Sequence, residues 1–572
     1  MTNLKLTPIW RDLVTRPFNA NLKRIGSQRL EFAYSEAQQE LASYLIKSGV
    51  NDSESRVSDY LNGHIRLGAF EKAKCNFPID WRADPFENRT WQWLHHQLAV
   101  LGDMSYLMVT KKHDFLIDSA SSYIDDWIEH NFVNALPSEF SWGDHSTAHR
   151  LKNLVNFLLG CRHVISLTKF KKYLCLIEVH CRVLSSSKFY NKHTNHGLDQ
   201  LLYLLVAACY FPQMKSAERF KKIAMSRLED EISYGFAGDG VHTENSPQYH
   251  FILLNRLAIL HALQQNFEIS SNLDLSGLFQ KAIKFARFIK RPDGLIPIIG
   301  DSEQKLAFLS PLFKSEEGYQ EFRNDSALNS VESHFFEKSG YYTYRQKLTE
   351  NRKEDLHIVV KCGYLSNYHR QDDDGSFVLM AYGEDWFVDG GLYKHKNDDP
   401  IREYLRSVNA HNTINVHGEK IHRTRKLDSI NSSLSNLDAA EGEVVVEADI
   451  GMYDNLSLVR RFTIKESSFR LQISFSPKVE PPSDIIESSI LFHVPNDKRI
   501  IIEDDKVTLV SQISKNELAL KFDRAMFEEV ALVKEQNHNC FTSTKVGELK
   551  RVQTIAFKVN SLFENNLIDI LF

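Results

Sequence analysis

Long apolar runs are missing from this sequence: no stretch reaches about eighteen apolar residues, which argues against an ordinary membrane-spanning helix. A surplus of one charge is missing too, with 69 Lys and Arg against 74 Asp and Glu and a formal net charge of −5. That balance leaves no global footprint for nucleic acid or an anionic membrane, so an anionic ligand must be met by local charge. The seven cysteines, scattered from Cys75 to Cys540, are odd in number and lack C-x-x-C spacing. They describe neither a disulfide framework nor a cysteine zinc cluster. No apolar leader follows Met1, so the chain as written is expected to be cytoplasmic, or periplasmic if a leader has been trimmed. Low-complexity segments and sharp sequence repeats are also lacking.

What is present is ordinary soluble composition, 42% hydrophobic and 25% charged over 572 residues, enough for two or three domains. From about residue 28 to 290 the apolar residues follow a helical period. Ala120, Tyr123, Ile124, Trp127 and Ile128 form one such stripe, and others recur near 93–108, 150–160, 171–184, 198–210, 216–232, 251–264 and 276–289. Short connections make neighbouring helices antiparallel, which leaves a bundle, a solenoid or a closed toroid open. The Pro/Gly-rich segment from Arg291 to Glu303 and the polar stretch after it mark a change of architecture, and the boundary is placed at about residue 320. Beyond it come short strands at regular intervals, among them 341–346, 356–362, 376–382, 457–464 and 488–493, the pattern of an antiparallel sandwich.

Twenty-three histidines are unusual, and three places gather reactive side chains. Asn195-His196 stands before the apolar run Leu201 to Leu205, where an amide and an imidazole at a helix start can bind a carboxylate; on these residues alone, simple N-capping by Asn is the better explanation. The segment Asp239 to His250 holds His242, Glu244, Asn245 and Tyr249. Ser246-Pro247 there reads as a cap followed by a first-turn proline. Tyr249 would then sit in a helix's first turn, whose dipole eases a phenol towards phenolate. In the strand-rich half, His369, Gln371, Asp389 and His411 are four potential metal ligands from separate strands. The plainer alternative is that Asp372–Asp374 is a solvated turn and His411 a structural hydrogen-bonder.

Taken together, these residues resemble the heparinase II/III family of polysaccharide lyases, especially its heparinase III-like branch. The matching motifs are Asn195-His196, the Asp239-Gly…Glu244-Asn-Ser…Tyr249-His segment, the His369…Asp373…Phe377…Gly383…Asp389-Gly region and Arg402…Arg406-Ser…Ala410-His-Asn-Thr. Ile79-Asp-Trp81 and Trp91-Gln-Trp93 look like the family's helical lead-in. The resemblance implies an incomplete (α/α) toroid of helical hairpins over 1–320 and an antiparallel β-sandwich over 321–572, with the active cleft between them. It also implies β-elimination at a uronic acid of an acidic polysaccharide or oligosaccharide: a carboxylate is neutralised, a base removes the C5 proton, and an acid protonates the leaving C4 oxygen. Asn195 would meet the carboxylate, helped by His196. Tyr249 and His369 would exchange the two protons, in an order left open here. Arg150, His149, His242, Glu244 and Tyr393 are further substrate-binding candidates.

No cofactor is implied for the chemistry. A structural divalent ion, zinc or calcium, would fall on Asp389 and His411. Zinc-binding relatives use a His-x-His pair where this chain has His369-Arg-Gln371, and Gln is a poor zinc ligand. Two other functions suit a helical toroid. An inverting glycoside hydrolase would use two carboxylates about 6.5–9.5 Å apart, drawn from Glu244, Asp239 and Asp301. A non-catalytic glycan-binding or capsule-assembly protein would keep the fold alone.

Overall fold

The computed structural model describes residues 18, 33–48, 52–133, 138, 140–324, 331–395, 398–421, 432–437, 439, 441–465, 470–477, 487–535, 539–560 and 566–571. They divide into two compact units, one of residues 1–234 and 256–273, the other of 235–255 and 274–572. The change from helix to strand falls between the helix Tyr319–Asn324 and the strand Val331–Phe336. The segments 235–255 and 274–320 nevertheless belong to the same compact unit as the sheets.

The first unit is built of helical hairpins. Helix Asp144–Cys161 packs on Ala99–Lys111 before it and on Asn195–Tyr210 after it, while Leu167–Ser185 covers both Asp144–Cys161 and Asn195–Tyr210. Packing on the next-but-one helix makes a layer of the alternate helices Ala99–Lys111, Asp144–Cys161 and Asn195–Tyr210. The stripe Ala120, Tyr123, Ile124, Trp127 and Ile128 lies on helix Leu116–Ile128 and is buried throughout. Burying each of its large members stabilises the fold by about 1.5–3 kcal/mol. The expected helix over 93–108 is two helices, Arg89–His96 and Ala99–Lys111, parted at Leu98 with φ 54°. Apolar periodicity continues across the break because both helices use the same core. No helix among the described residues is long and apolar enough to cross a membrane.

In the second unit every pairing between named strands is antiparallel. An eight-stranded sheet runs from Lys498–Ile502 at one edge to Ser433–Leu437 at the other, and two five-stranded sheets start at Val331–Phe336 and Phe527–Leu532. A single apolar core joins them, with Ile358 and Phe377 from one sheet, Phe492 and Phe557 from the second, and Val446, Phe462, Ile473 and Ile568 from the eight-stranded sheet. Sequence reading omitted the strands Val331–Phe336, Ser433–Leu437 and Lys498–Ile502, which are sheet edges, and also Glu517–Phe522, Phe541–Lys545 and Asn566–Leu571, of which Glu517–Phe522 and Asn566–Leu571 lie inside the eight-stranded sheet. An edge strand has one partner and a weaker burial pattern. The polar stretch after Glu303 also carries structure, the turn Pro311–Phe313 and the helix Tyr319–Asn324. Asp372–Asp374 is not a solvated turn: all three are buried, Lys361 Nζ donates to Asp373 at 2.9 Å, and Asp374 accepts from Gly363 N–H at 2.8 Å.

Many of the histidines are core residues. Burial pushes His95, His250 and His493 down to about 4 and His242 to about 3. Unfolding returns each towards about 6.5, so the unfolded chain binds protons that the folded one refuses. The stability is fully present above pH of about 6.5 and falls as the pH drops towards the folded values. Calorimetry in buffers of differing ionisation enthalpy should therefore show net proton uptake on unfolding at pH 5, with Tm falling steadily below neutrality. A Tm that is flat across that window would contradict this burial.

Candidate active site

The helix Pro247–Phe267 places Tyr249. Pro247 occupies its first position, where a missing N–H costs nothing. The Ser246 carbonyl accepts the His250 N–H at 3.1 Å, but its hydroxyl does not close the first turn as the Ser-Pro pair suggested. That hydroxyl meets the Asp301 carbonyl at 3.2 Å and Ser302 Oγ at 2.8 Å, and Ser302 Oγ accepts the Gln248 N–H at 3.3 Å. A distant segment supplies the cap. Gln248 and Glu303 clasp it further, with Glu303 N–H donating to Gln248 Oε1 at 2.5 Å and Gln248 Nε2 to Glu303 at 3.2 Å.

The neighbouring loop brings in His369. Asn245, at φ 55°, donates its amide to the carbonyls of Ser366 at 2.8 Å and Tyr368 at 2.9 Å, and Ser366 Oγ donates to Thr243 O at 2.9 Å. Gly300, at φ +57°, lets this loop approach: a Cβ there would come within 2.3 Å of Asn245 O. His369 itself sits at φ 56°, a conformation costly for a non-glycine residue and common at functional sites. Its ring stacks on Tyr249, centroids 3.8 Å apart and planes 24° apart.

Asp301 fixes the pair electrostatically. Oδ2 accepts from His369 Nδ1 at 2.9 Å and Arg402 Nη2 at 2.5 Å; Oδ1 accepts from Arg402 Nη1 at 2.7 Å and Gln371 Nε2 at 2.8 Å. Burial works to raise its pKa, but the bonds from His369 and Arg402 outweigh that and hold the carboxyl well below the usual range. An ionised acceptor at Nδ1 makes that nitrogen the donor and turns Nε2 towards Glu244 Oε2, 3.4 Å away. Tyr249 is shifted the opposite way from the sequence expectation. Burial first, then the charges of Asp301 and Glu244, outweigh Arg402 and push the phenol up. A helix dipole is a partial charge and loses to two carboxylates. The Tyr249 hydroxyl has no hydrogen-bond partner among the described residues.

The other candidates part company. Asn195 begins the helix Asn195–Tyr210, but Thr194 caps it, accepting from Gly197 N–H at 3.0 Å. The Asn195 amide is half-buried and makes no side-chain hydrogen bond among the described residues, so capping does not explain it. His196 Nδ1 meets Asp144 Oδ2 at 3.0 Å. Arg150, proposed to bind substrate, is fully buried: Nε donates to His180 at 2.8 Å, Nη1 to His96 O at 2.7 Å, and the guanidinium lies 4.0 Å from the Trp127 ring centroid. It is a core residue with no surface for a glycan. His242 is buried, its Nδ1 accepting from Glu244 N–H at 3.4 Å, while Tyr393 is half-buried with Lys394 Nζ 4.6 Å from its ring centroid. His149 belongs to a separate cluster with His145 and Asp199.

The sandwich residues do not fit zinc or calcium. His411 Nδ1 bonds Asp389 Oδ1 at 3.0 Å, Ser376 holds Oδ2 at 3.2 Å, and the Gln371 amide is turned to Asp301. Burial lowers the His411 pKa, but Asp389 outweighs it and raises it. Gln371 Oε1 and His411 Nε2 are buried without partners among the described residues, yet one amide oxygen and one imidazole fall short of calcium's six to eight oxygens, roughly, or zinc's usual set. Sequence reading missed Asp301 and Arg402 as a charged unit. Their signals were a polar Gly-Asp-Ser-Glu after the apolar Ile296 to Ile299, and an Arg already within the Arg402…Arg406 motif.

Two family models match, the Heparinase II/III N-terminus over residues 20–347 and the Heparinase II/III-like C-terminal part over 329–557. The chain belongs to the heparinase II/III family. It is 23% identical to a heparin-sulfate lyase of Bacteroides stercoris over 431 residues, 68% of this chain and 62% of that protein. The match thus spans less than two thirds of that relative's length. Among solved structures, a heparinase III superposes with TM-score 0.70 at 18% identity, covering 98% of this chain and 89% of that one. The heparan sulfate lyase of Pedobacter heparinus gives 0.67 at 17%, covering 98% and 88%. These likenesses establish the family's fold, a helical toroid with an antiparallel β-sandwich.

Asp301→Asn would leave Arg402 buried against a neutral amide. The expected loss is about 3–5 kcal/mol of stability in urea denaturation. The depressed carboxyl contributes stability fully present above its unfolded pKa of about 3.9 and lost as the pH falls through its lower folded value. The difference from wild type should therefore be undiminished between pH 7 and 5.

Proposed function

We propose that this chain cleaves a uronate-containing acidic polysaccharide by β-elimination, and that its substrate is a glycosaminoglycan of the heparan sulfate class. The observation that carries the reading is the stacked Tyr249–His369 pair, two proton-handling side chains backed by the ionised Asp301. The relative from Bacteroides stercoris, named a heparin-sulfate lyase, supports the substrate class.

In the proposed reaction Asn195, with His196, hydrogen-bonds the uronate carboxylate and stabilises the enolate-like charge that develops as C5–H is lost. Tyr249 rests as a neutral phenol because its pKa is raised. It therefore donates the proton to the C4 oxygen as the C4–O bond breaks. His369 Nε2 takes the C5 proton, and Asp301 holds the resulting imidazolium through Nδ1. The electron pair from C5–H becomes the C4–C5 double bond, and no cofactor is required. A hydrolase is less well served. Asp301 is saturated by Arg402, Gln371 and His369, and Asp239 is spent on Ser339, whose N–H and hydroxyl both donate at 2.9 Å. Asp301 therefore has neither a proton to give nor a free lone pair aimed at water, and Asp239 Oδ2 is held by both Ser339 bonds.

The test is incubation with heparan sulfate, hyaluronan, alginate and chondroitin sulfate, following ultraviolet absorbance of the unsaturated uronate and, separately, new reducing ends. Absorbance should grow on heparan sulfate. Tyr249→Phe should lower kcat by about 10²–10⁴-fold with little change in KM, and Asn195→Ala by about 10²–10³-fold. Reducing ends without absorbance, or full activity in Tyr249→Phe, would overturn the mechanism.

A further inference from the structure

The helical unit carries a convergence of ligand atoms that the elimination scheme leaves unused. His145 and His149 are one turn apart on helix Asp144–Cys161, and Asp199 faces them from helix Asn195–Tyr210. Their atoms form a closed triangle: His145 Nε2 to His149 Nε2 at 2.8 Å, His149 Nε2 to Asp199 Oδ2 at 3.2 Å, and His145 Nε2 to Asp199 Oδ2 at 3.4 Å. Among the described residues, this is the one group of three or more His, Cys, Asp or Glu side chains whose ligand atoms converge in this way.

We propose that His145, His149 and Asp199 bind a zinc-type divalent ion. Tetrahedral zinc with bonds of about 2.0–2.1 Å sets ligand–ligand separations of about 3.3 Å. Two edges of the triangle already have that length, and the His–His edge needs to open by about half an ångström. Hydrogen bonding serves the triangle poorly, because one shared proton cannot satisfy three edges and the carboxylate only accepts. A cation satisfies all three. A histidine pair at i, i+4 on a helix with a carboxylate from a second element is a recurrent first-row metal set.

The surroundings hold the ligands in place. Asp199 Oδ1 accepts from Arg256 Nε at 2.7 Å, leaving Oδ2 for the ion. The His145 ring stacks on His196, centroids 4.1 Å apart, and meets Trp93 edge-on, while His149 meets Tyr203 edge-on. The ion would tie the first two turns of two helices, one of which begins with Asn195. This inference stands apart from the lyase reading, since it concerns binding alone.

The full chain, dialysed against a chelator, is titrated with Zn²⁺ by calorimetry and with Co²⁺ by visible absorption. One equivalent should bind and raise Tm. His145→Gln and His149→Gln should each weaken binding at least a hundredfold, and Arg256→Gln by about 10–100-fold, while His411→Gln leaves it unchanged. If the histidine variants misfold, Zn²⁺ should still protect His145 and His149 of the wild-type chain from carbethoxylation, mapped by mass spectrometry. The proposal is overturned by absence of saturable binding, by binding that survives both histidine variants, by loss in His411→Gln alone, or by no protection.

Discussion

One buried carboxylate holds the candidate active site together. Placing an ionised Asp301 at 1% exposure costs several kcal/mol unless its lone pairs are filled, and here His369, Gln371 and both Arg402 nitrogens fill them. The segment that carries Asp301, Gly300 to Glu303, does a second task. Ser302 caps the helix that begins at Pro247, and Glu303 clasps Gln248. One turn of chain therefore sets both the position of Tyr249 and the orientation of His369. Moving either residue would break a bond to the other's support.

This arrangement also divides the protonation states. Burial and then the charge on Asp301 raise the pKa of the Tyr249 phenol and keep it protonated, while Asp301 at Nδ1 supplies the counter-charge for a proton that His369 would acquire at Nε2. Behind them, His242 and His250 are kept neutral by burial: His250 Nδ1 accepts from His242 N–H at 3.2 Å and Nε2 bonds Ala282 O at 3.0 Å. Those imidazoles form the support of the loop. A site rich in histidine thus contains one whose ring faces the tyrosine and others that pack beneath it.

How much of this was legible depended on the range of the signal. Helix stripes such as Ala120 to Ile128 were readable because the repeat is set by residues one turn apart. Strands such as Tyr341–Gln346 were readable for a similar reason, but place in the sheet did not decide it: the edges Val331–Phe336 and Ser433–Leu437 were missed and so were the interior strands Glu517–Phe522 and Asn566–Leu571. Local charge was the least reliable guide. Three consecutive aspartates looked solvated, yet Lys361 and the Gly363 N–H bury two of them. Arg150 was a substrate-binding candidate, yet Trp127, Trp142 and His180 enclose it.

The sequence alone determined the two architectures, the family and the identity of Asn195, Tyr249 and His369 as residues of interest, because periodicity and motif order are properties of neighbours along the chain. Only the tertiary structure decided that Tyr249 rests protonated, that Ser302 and not Ser246 caps its helix, that Asp301 with Arg402 is the charged pair behind His369, and that His145 and His149 share a carboxylate with Arg256. Each of those depends on partners dozens of residues apart. A pKa or a hydrogen bond is fixed by what lies across space, and no local pattern records it.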